Sequence, residues 1–336
     1  MYRYTAYELD VASELELPEL VAAEGTPSGP PDLTIRLGEV PDEIEGGVAF
    51  WGQDTSATGG GAPTPAGDGA DPRPYWTVSP DAWLQEVDDV GRYYVHNRGT
   101  EVVIERTGGS DVALRCFLFG TVLGAIFHQR RQFVLHACAV SMPGGAVALA
   151  GNPRAGKSTT MATLLTRGHE LLSDDKTVLR PGPDGPEVLS GYPTMRLWGD
   201  AAERMGLDAS ELPELLPGMG KYLYRTPAFR REATPLRALV VLTTPRPVDK
   251  GGPEDIGGVQ VRPLASHRAV QTLLRQTYRR PILNGLGLQG EHFAWATKLG
   301  NTIPIVRVVR PRTGDTVTEV ADAVEAVVAS ATATPA

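Results

Sequence analysis

Over the first hundred residues apolar and polar positions alternate in short bursts, Tyr2–Leu9, Asp32–Leu37, Tyr75–Val78, Arg92–His96 and Glu101–Glu105, separated by Pro, Gly and Asp clusters. A period of two between turn residues predicts strands. Residues 1–110 are therefore expected to form a small β-rich N-terminal domain. Within it, 52–74 are Gly, Ala, Pro, Thr and Asp with almost no large apolar side chain, so nothing there offsets the entropy of ordering and a flexible loop is expected. The apolar run Ala113–Phe127 then predicts a buried helix, capped by Asp111 and ending near His128. Interrupted by Arg115 and Thr121, it falls short of a bilayer span, and 111–132 are expected to bridge to a second domain, 133–336.

That second domain reads as α/β. Phe133–Ser141 and Ala146–Ala150 are apolar runs joined by Pro143-Gly144-Gly145, predicting a strand pair. Helical spacing follows over Lys157–Arg167, stopped by Gly168, and then a strand over Glu170–Ser173. Further on, Leu239–Thr243 and Ile303–Val309 predict strands, and Ser266–Arg280 and Glu291–Leu299 predict helices. Val317, Val320, Val324, Val327 and Val328 predict a terminal amphipathic helix, with Thr316 and Glu319 as its capping box.

Composition narrows the partners. The chain has 336 residues, 41% hydrophobic and 21% charged, with a net charge of -8. A folded protein is expected, and duplex DNA and anionic membranes are disfavoured as partners because both demand a net basic face. The acidic N-terminus lacks the basic start and apolar run of a secretory signal, and Cys116 and Cys138 are too few for a disulfide framework; a cytoplasmic location is expected. Lysines stand only at 157, 176, 221, 250 and 298, so a lysine inside a motif is less easily accidental.

One such lysine sits in Gly151-Asn152-Pro153-Arg154-Ala155-Gly156-Lys157-Ser158, which satisfies G-x-x-x-x-G-K-[ST] between a predicted strand and a predicted helix. Its glycines let backbone N–H groups and a helix N-terminus point at one set of oxyanions. Lys157 then neutralises the β/γ-phosphates and the Ser158 hydroxyl ligates magnesium. ATP with Mg2+ is the expected guest, with Thr159 closing the nucleotide-binding segment. Asp174-Asp175 ends the next strand, at the carboxyl edge where an open α/β sheet binds its ligands. Adjacent acids at a strand end are more often a solvated turn, but beside a phosphate loop they suit phosphoryl transfer. His136, alone in an apolar strand, reads by itself as a core residue. Arg196, Lys221 and Arg225 stand next to aromatics downstream, either as substrate or phosphate contacts or as surface cations resting on rings.

Leu135-His136, Gly151–Ser158 and Arg167-Gly168-His169-Glu170-Leu171-Leu172-Ser173-Asp174-Asp175 together resemble the catalytic domain of the HPr kinase/phosphorylase family. The resemblance implies a P-loop fold of the HPr kinase C-terminal/PEP carboxykinase-like kind, with Asp174 as general base, Asp175 a magnesium ligand beside Ser158, and His136 a polar group near the transferred phosphate. His169 matches too and reads as structural. Tyr4–Leu9, Leu17–Leu20 and His128-Gln129-Arg130 are similar to a narrower group, the HPr kinase-like proteins of lasso-peptide and other ribosomal-peptide biosynthesis, which implies a serine kinase acting on a precursor peptide. Thr159 and Thr160 stand where the HPr enzyme has Glu after the loop serine, so the resemblance does not extend to that carboxylate or to the reverse phosphorylase activity. The expectation is thus an ATP- and Mg-dependent kinase for a serine or threonine of a peptide or small protein. A small-molecule hydroxyl kinase, a P-loop ATPase and a nucleotide-gated binding module are the alternatives, and homo-oligomerisation is left open.

Overall fold

A computed structural model describes residues 1–25, 29–50, 76–153, 155–245, 247–248, 252–253, 256–265, 267–312 and 314–333. The expected loop 52–74 lies outside the described residues. The chain divides into two compact units, residues 1–134 with 277–293 and residues 135–276 with 294–336.

The first unit is built on a nine-stranded sheet. Its strands are β1 (Tyr2–Ala6), β2 (Leu9–Ser13), β3 (Val21–Ala22), β4 (Leu33–Leu37), β5 (Val48–Phe50), β6 (Trp76–Val78), β7 (Trp83–Val87), β8 (Gly91–His96) and β9 (Glu101–Arg106), in the order β3-β1-β2-β4-β9-β8-β7-β6-β5. The alternation in the sequence becomes a buried face: Tyr93 and Val95 of β8 and Val102 and Ile104 of β9 are fully buried, while their neighbours are partly exposed. β1 and β2 close through Tyr7-Glu8, both at positive φ, the primed-turn geometry that matches strand twist. Tyr7 holds that conformation without glycine because its ring is buried edge-on against Phe127, 4.7 Å away.

The helical run Asp111–Gln129 differs from its expectation in three ways. Its N-cap is Ser110, whose Oγ accepts from the Ala113 N–H at 3.3 Å, leaving Asp111 as the first helical residue. It reaches 19 residues, long and apolar enough by length and composition to cross a membrane, and 67% of its apolar window is buried in the protein. It is also not one helix. α1 (Asp111–Phe117) and α2 (Leu123–Gln129) are separated by a π-turn in which Gly120 takes non-helical angles, φ -90 and ψ -113, a backbone that side-chain-bearing residues disfavour. The break lets both halves lie on the first unit's sheet: the Tyr93 hydroxyl donates to the Leu114 carbonyl, and Gln129 Nε2 to that of Val95.

After β10 (Phe133–Leu135) the second unit runs through β11 (Ala137–Met142), β12 (Gly145–Gly151), α3 (Lys157–Thr166), β13 (Glu170–Ser173), β14 (Thr177–Gly182) and β15 (Gly185–Val188). There follow β16 (Thr194–Trp198), α4 (Gly199–Arg204), β17 (Lys221–Arg225), β18 (Thr234–Thr243), the backbone pair β19 (Pro247–Val248) and β20 (Gly252–Pro253), β21 (Gln260–Leu264) and α5 (His267–Gln276). The expected helix to Arg280 stops at Gln276, and Pro281 opens a new one, α6 (Pro281–Gly285), in the stretch 277–293 that belongs to the first unit, since proline's missing N–H costs nothing in a first turn. The chain ends with α7 (Gln289–Thr302), β22 (Ile305–Val309) and α8 (Val317–Ala333).

The sheet of this unit is mixed. β12 pairs parallel with β18 and β18 parallel with β22, while β11 is antiparallel to both β12 and β13. The central run is therefore β13-β11-β12-β18-β22. Ala146–Ala150 and Ala238–Leu242 are almost fully buried, as strands covered on both faces require. Met161 and Leu164 of α3 and Val320, Val324 and Val328 of α8 pack into one core with Val140, Leu149, Val240 and Val306. The α8 capping box does not form. The Val317 N–H goes to Asp315 Oδ1 at 3.2 Å, and the buried Thr316 hydroxyl has no hydrogen-bond partner among the described residues, because the side chain one position earlier already reaches the helix end.

Candidate active site

β12 leads into the glycine-rich loop. Gly151 has φ 143, and a Cβ there would lie 2.5 Å from the Leu242 carbonyl of β18; Gly156, at φ 104, is the residue from which α3 starts. Both positions demand glycine. Between them the Ala155 N–H turns back to the Asn152 carbonyl at 3.1 Å. Pro153 is exposed, and Arg154 lies outside the described residues. Lys157, Ser158 and Thr159 form the first turn of α3 and are partly exposed. The Lys157 ammonium curls over the loop to donate to the Gly151 carbonyl at 2.6 Å; burial lowers its pKa, against the pull of Asp175 and Asp174.

Asp174 and Asp175 follow β13, two strands from β12. Their neighbours differ. Asp174 Oδ2 accepts the Arg196 backbone N–H at 2.8 Å. Burial raises its pKa, the Asp175 charge raises it further, and the Arg196 and Lys221 cations only partly offset this. Asp175 sits at φ 65, which turns its carboxylate among basic groups: Lys176 Nζ at 2.7 Å, His136 Nδ1 at 3.5 Å and an Arg196 guanidinium nitrogen at 4.0 Å. Burial alone would raise its pKa, but the charges of Lys176, His136 and Arg196 outweigh that and hold it well below the usual carboxylate range. The two adjacent acids are thus driven in opposite directions.

His136 is not inside a strand as its apolar setting predicted. It falls at the break between β10 and β11, where its N–H donates to the Gln276 carbonyl at 2.6 Å. Leaving the strand ladder is what frees its ring to face Asp175. Arg196 and Lys221 also converge here. β16 and β17 form a two-stranded ribbon with Arg196 opposite Leu223, Trp198 opposite Lys221 and Thr194 opposite Arg225. Directly paired residues share a face, and the alternate residues Met195 and Leu197 are buried in the core. Lys221 Nζ lies over the Trp198 ring, 4.8 Å from its centre. Lys221 thus rests on an aromatic, the second of its two readings, and it also acts electrostatically on Asp174 and Lys157. Arg225 is exposed at the Thr194 end of the ribbon. His169 pairs with Glu325 of α8 at 2.8 Å, next to Arg167, a structural tie.

Three residues at the site were not singled out from the sequence. Lys176 is 1% exposed against Asp175; its position directly after the acid pair, among so few lysines, was the available signal. Tyr192 is buried, with its phenol pKa raised by burial and modulated by Arg196, Lys176 and both aspartates; nothing in the sequence marked it. Arg310 follows β22 and places its Nε 3.3 Å from the Ala155 carbonyl, and a basic residue after a predicted parallel strand is legible only once the strand order is known. Cys138, fully within β11, has its thiol pKa pushed up by burial, which suits packing and not nucleophilic chemistry.

No family model matches the chain and no curated protein matches it. Among solved structures it is similar to the Hpr(Ser) kinase/phosphatase from Coxiella burnetii, at 14% identity and a TM-score of 0.30, over 59% of this chain and 88% of that one. A likeness of that size carries no inference about activity.

Proposed function

We propose that the chain is a kinase that transfers the γ-phosphate of ATP, with magnesium, to a serine or threonine hydroxyl of a peptide or small protein. One observation carries this reading: the phosphate-loop sequence faces two aspartates that their surroundings drive apart, Asp174 toward the protonatable side and Asp175 firmly charged. A pair split in this way divides into a proton acceptor and a permanent anion. Asp174 takes the proton as the acceptor oxygen bonds to the γ-phosphorus and the bond to the ADP oxygen breaks. Lys157 holds the phosphates and His136 keeps Asp175 in place.

Both residues that this reading assigns to magnesium carry oxygen donors of the kind the ion takes. Asp175 offers a charged carboxylate and Ser158 a hydroxyl. Among the described residues no group of three or more His, Cys, Asp or Glu could hold a metal unaided, so phosphate oxygens and waters would complete the shell. When bound, the ion would neutralise phosphate charge.

For the acceptor, the motif resemblance points to a serine of a ribosomal precursor peptide. The ribbon face carrying Arg196, Lys221 and Trp198 suits a carboxylate-bearing partner. The test is incubation with ATP, magnesium and a serine-ended precursor peptide: a mass gain of about 80 Da, the size of one added phosphate group, is expected, and alanine in place of that serine should abolish it. Phosphorylation of free serine or a sugar with the peptide untouched would favour a small-molecule kinase, and ATP hydrolysis with no acceptor modified would favour an ATPase.

A further inference from the structure

The glycine-rich loop has a flank that the transfer chemistry leaves unused. In the run β13-β11-β12-β18-β22, the Asp pair follows the strand two places to one side of β12, and Arg310 follows the strand two places to the other. At about 4.8 Å per strand, its backbone lies roughly 10 Å from the β12 axis, a distance its side chain spans. The position is set by the sheet. The Arg310 N–H donates to the Thr243 carbonyl at 3.0 Å, extending the parallel pairing one residue past Val309.

From there the guanidinium reaches the loop. Nε donates to the Ala155 carbonyl at 3.3 Å, and a Cβ placed on Gly156 would lie 3.6 Å from that same nitrogen. This bond engages one N–H of five. The Nη1 and Nη2 groups, the edge of the fork suited to two phosphate oxygens, make no hydrogen bond or ion pair among the described residues. Arg310 therefore stands beside the N-terminus of α3 with its bidentate edge unspent, while Lys157 occupies the loop's own Gly151 carbonyl.

We propose that Arg310 is a ligand of the nucleotide's phosphate chain, gripping it from the flank opposite Asp174 and Asp175. The assignment rests on the reading of residues 151–158 as a nucleotide phosphate loop. Two cations, Lys157 at the start of α3 and Arg310 after β22, then bracket the anion, leaving the side nearest the Asp pair open to the acceptor. A mere staple for the loop would need only the Nε bond.

Calorimetric titration of the full chain with ATP, inorganic tripolyphosphate and adenosine separates these roles. Arg310→Gln can still donate to the Ala155 carbonyl but has no charge. It should keep the melting temperature of the free protein and bind ATP and tripolyphosphate about tenfold more weakly, the usual weight of a charge-assisted hydrogen bond, with adenosine unaffected. Arg310→Lys, which keeps the charge without the fork, should fall between the two, and it decides alone if the Gln variant does not fold. Wild-type affinity for ATP and tripolyphosphate in the folded variants overturns the proposal. So does weakened ATP binding with tripolyphosphate unchanged, which would move Arg310 to the nucleoside. If the unmutated chain binds neither ATP nor tripolyphosphate, the phosphate-loop reading itself fails and takes this assignment with it.

Discussion

Each unit buries a cluster of titratable groups, and the two clusters keep opposite charge states. In the first unit His128 and His292 lie with ring centres 6.4 Å apart, and Phe133 stacks on His292 at 4.3 Å. His128 Nε2 meets the Tyr278 carbonyl at 2.6 Å and must carry the proton there, which leaves Nδ1 bare and without a hydrogen-bond partner among the described residues. Burial lowers His128 to about 4, with the Tyr278 bond opposing it, and burial lowers His292 to about 3, with His128 and Arg280 adding to the effect. In the second unit Asp175 is likewise penalised by burial, yet Lys176, His136 and Arg196 keep it ionised. Burial without a counter-charge discharges a group; burial among counter-charges locks the charge in. The first arrangement serves packing and the second can serve chemistry.

The largest effect should come from the cation at the loop. Lys157→Ala removes the ammonium that faces the loop carbonyls and not the core, so phosphoryl transfer should fall by at least about a hundredfold, the scale of losing a transition-state charge contact, with the melting temperature little changed. Turnover and thermal unfolding measured on the same preparation check this; near-normal turnover in a folded variant would sink the loop assignment.

Splitting the acid pair comes next. Asp174→Asn should cost roughly 10²–10⁴-fold in transfer, the range of a lost general base, and should not respond to metal. Asp175→Asn should be partly rescued by raised magnesium or manganese. It should also destabilise the second unit by roughly 3 kcal/mol, because it takes a carboxylate away from a buried ammonium. Identical metal responses in the two variants would remove the division of labour.

The neutral cluster makes its own prediction through pH. Histidine in the unfolded chain titrates near 6.5, whereas these two titrate near 4 and 3 when folded. Between those values the unfolded chain binds more protons, so stability falls as pH falls. The contribution is complete above about pH 6.5 and is lost progressively toward about pH 3, amounting to about 3 kcal/mol for His128. Urea midpoints measured down this range should show the slope, and His128→Gln, which can still donate to the Tyr278 carbonyl, should flatten it. An unaltered slope in that variant would show that other groups control the acid limb.

The smallest effect belongs to a buried, uncharged group with no hydrogen-bond partner among the described residues. Thr316→Val replaces an unpaired hydroxyl by a methyl of the same shape and should stabilise the chain by about 1 kcal/mol or less. A loss of stability would mean that the hydroxyl is hydrogen-bonded after all.

Some of this was legible along the chain because it depends on neighbours in sequence. The alternation in β8 and β9, the buried strand before the loop, the glycines at 151 and 156 and the valine stripe of α8 are local patterns, and each appears as an element where its period placed it. The helix break at Gly120, the stop at Gln276 and the failed capping box were not legible: two glycines, Gly120 and Gly124, stood in the apolar run, helical spacing continued past Gln276, and Asp315 and Thr316 competed for one cap. The candidate site shows the same division. Lys157, Ser158 and the adjacent aspartates are named by spacing, and Lys176 stands directly after them in the chain, but Tyr192 and Arg310 owe their place to elements that meet only in the fold.

The sequence by itself determined which residue types stand in the loop and at the end of β13, since a glycine backbone and a lysine's charge are properties of single positions. Only the tertiary structure decided that Asp174 and Asp175, chemically the same and covalently adjacent, differ in proton affinity. That difference arises from which cations lie within a few ångströms of each carboxylate. Lys176, next in the chain, is one of these basic groups; the others come from β16, β17 and the break before β11, brought there by the strand order, which spacing along the chain does not encode.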